Sequence, residues 1–278
     1  MLHEIFPHTF DNRFLSKTDI NNDNYLLHYQ ENTVLLKVKG NGLEIPTRKD
    51  YAELPEDART SFLFSLDGTP CFLLWDCSGI KAGNDLQYNE ISFFRTSKQK
   101  EIAWITIIGY QLWNWYENNK YCGKCGSDTE EKSYERALVC ENCGTVVYPK
   151  ISPAIIVAII SGDKILLAHN SNFPGNWYSL VAGYVDIGES LEETVLREVR
   201  EEVGLDVKNI RYYKSQPWAL SGSMMIGFIA EADPNQKIIT DNIEITEAAW
   251  FTRGSLPNHP PKISIAGEMI EKFEKDEL

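Results

Sequence analysis

Residues 183–205 read GYVDIGESLEETVLREVREEVGL, and this stretch decides how the rest of the chain is read. It divides into a loop, a helix and a stop. Ser190 followed three residues later by Glu193 is a capping-box start. Leu191, Val195, Val199 and Val203 recur every four residues and give the helix one apolar stripe. Gly204 stands where a C-terminal cap belongs.

An amphipathic helix alone does not explain the polar positions. Glu198 and Glu202 are one turn apart, so their carboxylates project to the same side, with Glu201 beside them. Like charges this close repel, and a hard divalent cation held between them makes the arrangement favourable. Arg197 is one step away and can hold a carboxylate in place. Gly183 and Gly188 let the preceding loop approach whatever the metal holds. The plain alternative is a solvated acidic face, but that leaves unexplained why a long pattern is filled at every defined position.

The pattern is G-x5-E-x7-R-E-U-x-E-E-x-G-U, with U aliphatic, and here it runs from Gly183 through Glu189 and Arg197 to Leu205. In this the chain resembles the Nudix hydrolases. The resemblance implies Mg2+- or Mn2+-dependent cleavage of a nucleoside diphosphate linked to another group.

Working outward, 278 residues are enough for two or three modest domains. A hydrophobic share of 43% and a charged share of 24% are those of an ordinary globular protein. The longest apolar run, residues 154–160, has the length of a buried strand and is far short of a membrane span. The first residues, MLHEIFPHTFDNRF, carry acid and no sustained apolar run, so they do not read as a secretory signal. The last four, Lys275-Asp276-Glu277-Leu278, spell the ER-retention signal, read here as a charged helix end in a cytoplasmic protein. The net charge of -13 argues against binding polyanions at long range, so a phosphorylated substrate must be drawn in locally.

Residues 1–118 read as a small, mostly β domain with a linking helix. Residues 32–38 and 71–75 look like strands, while Asn41-Gly42 and Asp67-Gly68 look like turns, the second a hairpin. His3, His8 and His28 are scattered and form no catalytic set, and Cys71 and Cys77 read as thiols rather than a disulfide. Residues 102–118 turn helical and aromatic, with Trp104, Trp113, Trp115 and Tyr116, a core or interface composition.

Residues 119–149 carry Cys122-Gly123-Lys124-Cys125-Gly126 and Cys140-Glu141-Asn142-Cys143-Gly144. Two Cys-x-x-Cys knuckles, each followed by glycine, predict a four-cysteine zinc ribbon. Four thiolates complete a tetrahedral shell, so the expected zinc is structural.

Residues 150–278 alternate apolar runs and turns. Strands are expected at 152–160, 164–168, 177–185, 207–213 and 224–230, with the box helix between the third and fourth and a last helix at 263–275. The fold class is α+β: a Nudix-type α/β/α sandwich preceded by a zinc ribbon and a mostly-β N-terminal domain.

Two features narrow the resemblance. The ribbon stands directly before the box domain, and Ser215-Gln216-Pro217-Trp218 follows the box by about ten residues. Together they resemble the NADH pyrophosphatase family, whose marker is SQPWPFPxS; this chain has Ala219-Leu220-Ser221 in place of Pro-Phe-Pro, then Gly222-Ser223. The resemblance implies zinc on Cys122, Cys125, Cys140 and Cys143, and catalytic Mg2+ or Mn2+ on Glu198, Glu202, Glu244 and the carbonyl of Ala182, with Glu201 in the same cluster. Substrate contacts would fall on Glu135, Tyr148, Ser215, Gln216, Pro217, Trp218, Ser223 and Ala266, with Tyr184 stacking on a ring and Arg95 as a further arginine contact. Trp218 as a core tryptophan remains the alternative for that position.

The expected reaction is hydrolysis of NADH or NAD+ to nicotinamide mononucleotide and AMP, with NAD-capped RNA as a related substrate. The proton-accepting carboxylate stays open among Glu201, Glu202 and others. A broader hydrolase of ADP-ribose-type compounds and a non-catalytic nucleotide-sensing scaffold are the competing expectations. The resemblance also implies a homodimer; no membrane partner is expected.

Overall fold

The computed structural model describes residues 1–15, 18–40, 42–56, 58–77, 80, 85–172 and 175–278. The chain divides into two compact units, Leu2–Lys150 and Ile151–Leu278, with Met1 counted in the second.

The first unit opens with β1 (Phe10–Asp11), β2 (Tyr25–Gln30), β3 (Thr33–Lys39), β4 (Gly42–Glu44), β5 (Arg59–Leu66), β6 (Thr69–Trp75) and β7 (Leu86–Glu90). They form one sheet in the order β1-β5-β6-β2-β3-β4, with β7 beside β3. Asp67 and Gly68 join β5 to β6 with φ of 51° and 79°, the two left-handed residues of a tight hairpin turn. Asn41, half of the other expected turn, lies outside the described residues. Cys71 and Cys77 are thiols, the first buried and the second half-buried.

Helix α1 (Lys100–Asn118) buries Ile102, Trp104, Ile105, Leu112, Trp115 and Tyr116. Its aromatic composition is therefore core composition. Gly109 is where the helix meets the sheet, since a side chain there would run into Leu27 and Tyr29. Tyr29 Oη donates to the carbonyl of Thr106 at 2.8 Å.

The ribbon is a small antiparallel sheet of β8 (Glu130–Glu131), β9 (Leu138–Val139) and β10 (Val146–Val147). It belongs to the same unit as the N-terminal sheet. Arg59 Nη2 reaches Glu130 at 3.0 Å, and Tyr116 Oη donates to Glu131 at 2.5 Å.

The second unit contains β11 (Ser152–Ser161), β12 (Lys164–Asn170), β13 (Val181–Tyr184), α2 (Leu191–Val203), β14 (Lys208–Trp218), β15 (Ser223–Glu231), β16 (Ile245–Thr252) and α3 (Ile265–Glu274). The sheet runs β14-β15-β11-β12-β16, with β13 also on β11. Strand β11 explains the layering, because it is apolar on both faces. Ile155, Val157 and Ile159 pack with Val195, Val199 and Val203 of α2. Ile156 and Ala158 pack with Ile265, Ala266, Met269, Ile270 and Phe273 of α3. Burying each such large side chain contributes about 1.5–3 kcal/mol. The result is the expected α/β/α sandwich.

The expected strands of this unit need correction, and β14 runs on to Trp218, past the expected end at 213. The strand predicted over 177–185 is regular only at Val181–Tyr184, since Trp177 and Ser179 make isolated bridges. Strand β16 went unread because its solvent-facing edge position leaves a weak alternation, with Ile245 its one buried residue. Among the described residues no helix is long and apolar enough to cross a membrane.

Candidate active site and zinc centre

Helix α2 starts as its sequence dictates. Ser190 accepts from the Glu193 N–H at 3.3 Å, and Glu193 accepts from the Ser190 N–H at 2.8 Å. Gly204 ends the helix with φ 70°. The apolar stripe faces the sheet, which turns Glu198 and Glu202 toward β13. Gly183 lies against Glu198, whose carboxylate fills the space a side chain at 183 would take.

Arg197 organises the acids. Its Nε and Nη2 grip the two oxygens of Glu189 at 2.6 and 2.8 Å, a bidentate pair. Its Nη1 donates to Glu198 at 2.8 Å and Glu201 at 3.1 Å, and Nη2 also reaches the carbonyl of Tyr184 at 3.0 Å. Hydrogen bonds from Arg197 are the main reason the Glu189 carboxyl is held down to about 2.

Glu202 differs from its neighbours. It is 7% exposed, and its Oε2 is buried without a hydrogen-bond partner. Burial, then Glu198, Glu244 and Asp241, push its carboxyl up to about 8, against a hydrogen bond from the Ala182 backbone. Burial also raises Glu198, with Arg197 opposing and Glu201 and Glu244 adding. A buried carboxylate without a counter-charge is costly, and a divalent cation bound by oxygens removes that cost. The donors at Glu198 and Glu202 therefore suit a hard divalent cation.

Glu244 is exposed, in the turn before β16. Sequence reading missed what shapes that turn. Asp241 accepts from the N–H groups of Ile243, Glu244 and Ile245 at 3.1, 3.2 and 2.9 Å. Burial works against the Asp241 carboxylate, but these backbone bonds leave its pKa lowered. The signal was present in Thr240-Asp241-Asn242, a turn-forming run before an apolar residue.

The other expected contacts are placed as follows. Tyr184 is 54% exposed at the end of β13. Ser215, Pro217 and Trp218 are half-buried on β14, and Ser223 is buried at the start of β15. Gln216 is fully buried: its Nε2 donates to the carbonyl of Ile263 at 3.0 Å, and its Oε1 accepts from the Ile265 N–H at 2.6 Å. That side chain holds the start of α3, so a substrate contact at 216 would fall on backbone. Ala266 is buried in the first turn of α3. The turn 219–222 is tight, with Ser221 N–H donating to Trp218 O and Gly222 N–H to Ala219 O, both at 3.2 Å. In the first unit, Tyr148 Oη lies 3.3 and 3.4 Å from the two oxygens of Glu135. Arg95 ends a short 3-10 turn, Ile91–Arg95.

The four cysteines come together. Sγ of Cys122 and Cys143 are 3.5 Å apart, as are those of Cys125 and Cys140, and all four lie within 4.8 Å of one another. A tetrahedral shell with Zn–S bonds of roughly 2.3 Å needs about this spacing. Among the described residues no other set of three or more Cys, His, Asp or Glu is this close. Both knuckles fold alike: Gly126 N–H donates to Cys122 O and Gly144 N–H to Cys140 O, each at 2.8 Å. Both glycines have positive φ, 77° and 72°, which is why glycine follows each pair. All four positions are filled by protein sulfur, so a zinc here is structural.

Comparison with known proteins finds two family matches and several relatives. Residues 150–273 match the NUDIX domain, and residues 117–148 match the NADH pyrophosphatase zinc ribbon domain. The chain is 41% identical over 169 residues to the NAD-capped RNA hydrolase NudC of Pseudomonas aeruginosa strain LESB58, covering 60% of each. It is 43% identical over 163 residues to the protein of that name from Escherichia coli O1:K1 / APEC, covering 59% of this chain and 63% of the relative. The matched region thus spans about 60% of the length of these relatives. A crystal structure of a NUDIX hydrolase from Nitrosomonas europaea aligns over 56% of this chain and 91% of its own, at 20% identity and a TM-score of 0.49.

Proposed function

We propose that this chain, a Nudix hydrolase in which the NUDIX domain follows an NADH pyrophosphatase zinc ribbon, cleaves the pyrophosphate bond of NADH or NAD+. The products are nicotinamide mononucleotide, reduced or oxidised, and AMP. The same cleavage would remove an NAD cap from RNA. The observation that carries the reading is the buried, unpartnered Oε2 of Glu202 beside Glu198.

Glu198, Glu202, Glu244 and the Ala182 carbonyl would hold Mg2+ or Mn2+. Such an ion would offset charge on the pyrophosphate and make the attacking water more acidic. Arg197 keeps Glu198 and Glu189 in fixed orientations. Glu201 gives one oxygen to Arg197 and is otherwise exposed, so its second oxygen can receive the proton of the attacking water. Tyr184 and Trp218 offer faces for the two rings of a dinucleotide, each stack contributing about 1–3 kcal/mol. Ser215, Pro217, Ser223, Ala266, Glu135 and Tyr148 complete the carried-over contacts, with the backbone of Gln216. A homodimer, a cytoplasmic location and the three-part division at 118 and 149 belong to the same reading.

A second reading, hydrolysis of ADP-ribose-type compounds, draws on the turn 219–222. Its residues, Ala219-Leu220-Ser221-Gly222, supply no aromatic wall.

The test is turnover of NADH, NAD+, NAD-capped RNA and ADP-ribose by purified protein with Mg2+ or Mn2+. Glu198→Gln and Glu202→Gln should each nearly abolish it while circular dichroism stays unchanged. Full activity in both variants rejects the assignment. A rate on ADP-ribose above that on every dinucleotide favours the second reading.

A further inference from the structure

Residues 132–137 form the tip that joins β8 to β9. Lys132 N–H donates to Ala137 O and Ala137 N–H to Glu135 O, each at 2.9 Å. Lys132 Nζ pairs with Glu135 Oε1 at 2.6 Å, and Tyr148 Oη touches the same carboxylate. The tip thus fixes Glu135 relative to itself.

The next side chain fixes the tip. Arg136 leaves the ribbon and enters the N-terminal sheet. Its Nη1 donates to Asn12 Oδ1 at 2.9 Å, just beyond β1. Its Nη2 donates to the carbonyl of Leu63. Leu63 lies in a bulge: β5 and β6 pair Phe62 with Phe72 and Phe64 with Cys71, so Leu63 has no register partner on β6. A bulge takes a residue out of the ladder, here leaving a carbonyl for the guanidinium fork. Arg136 Nε is itself buried without a partner. A half-buried guanidinium holds its position only while fixed acceptors meet it.

We propose that Arg136 is a positioning residue for the dinucleotide: it pins the ribbon tip to the Leu63 bulge and thereby fixes Glu135 and Tyr148. The N-terminal sheet, which carries no catalytic residue, then acts as the platform for two substrate contacts. This rests on the reading of Glu135 and Tyr148 as substrate contacts.

The experiment compares full-length, zinc-loaded wild type with Arg136→Met, Asn12→Ala, Glu135→Gln and the double variant Glu135→Gln/Arg136→Met. Zinc content, KM and kcat for NADH, and NADH binding by its fluorescence are measured. Arg136→Met should raise KM about tenfold with kcat within about twofold, since misplacing a contact weakens binding without touching the reacting atoms. Asn12→Ala, which keeps the arginine, should raise KM in the same direction by less. The double variant should be no worse than Glu135→Gln, because Arg136 acts through that carboxylate. If Arg136→Met loses its zinc, Asn12→Ala decides. An unchanged KM in zinc-loaded Arg136→Met, or additive effects in the double variant, overturns the proposal alone. Wild type that neither binds nor turns over NADH overturns the reaction as well.

Discussion

The carboxylate of Glu198 lies directly over the α-carbon of Gly183. A Cβ at 183 would overlap Cδ and both oxygens of that side chain. The backbone cannot retreat, because Gly183 is paired with Ile155 in the sheet. Gly183→Ala should therefore push Glu198 out of place rather than unfold the domain. We expect kcat at saturating metal to fall on the order of 100-fold, with an unchanged circular dichroism spectrum.

Glu202 makes metal-free stability depend on pH. Its folded pKa, about 8, is raised above the ordinary value of 4.5, so the fold favours the neutral acid. That contribution is fully present below about 4.5 and is lost as pH rises through about 8. In EDTA, the thermal midpoint of wild type should fall across this window, while that of Glu202→Gln should fall less. Because the ligand must be ionised, Mn2+ binding should release a proton and tighten with rising pH over the same range. Calorimetry in two buffers of different ionisation enthalpy measures the proton.

Arg197→Lys keeps the charge and loses the fork. Lysine cannot hold both oxygens of Glu189 while also reaching Glu198, Glu201 and the Tyr184 carbonyl. We expect kcat/KM for NADH to drop about tenfold or more, checked by steady-state kinetics at several Mg2+ concentrations.

Zinc should stabilise only the unit that contains it. The ribbon belongs with the N-terminal sheet, and α2 belongs to the other unit. A strong chelator, or Cys140→Ser, should lower the melting transition of residues 2–150. The transition of residues 151–278 should move little, resolved by hydrogen exchange of peptides from each unit.

Gln216→Ala separates a structural role from a binding role. It would leave the Ile265 N–H and the Ile263 carbonyl without their partner at the start of α3. A loss of about 1–3 kcal/mol in stability is expected, read by urea denaturation, with KM for NADH changed less than about twofold.

The features legible in the sequence were local. The capping box at Ser190, the stop at Gly204, the Asp67-Gly68 turn, the two cysteine knuckles and the two-sided apolar strand β11 each depend on residues a few positions apart, where chain geometry leaves little choice. The box could be named for the same reason: its spacing is that of one helix and the loop before it.

Relations across long stretches of chain were fixed by packing alone. These include Gly183 making room for Glu198 and Asp241 ordering the turn that carries Glu244. They also include Gln216 turning inward to cap α3, 49 positions away, and Arg136 reaching a bulge 73 positions earlier. Strand β16 belongs with them, since an edge strand is fixed by the neighbour it pairs with, here β12. Side-chain burial and register depend on which segments meet. That is settled by packing the whole core at once, so no short window of sequence records it.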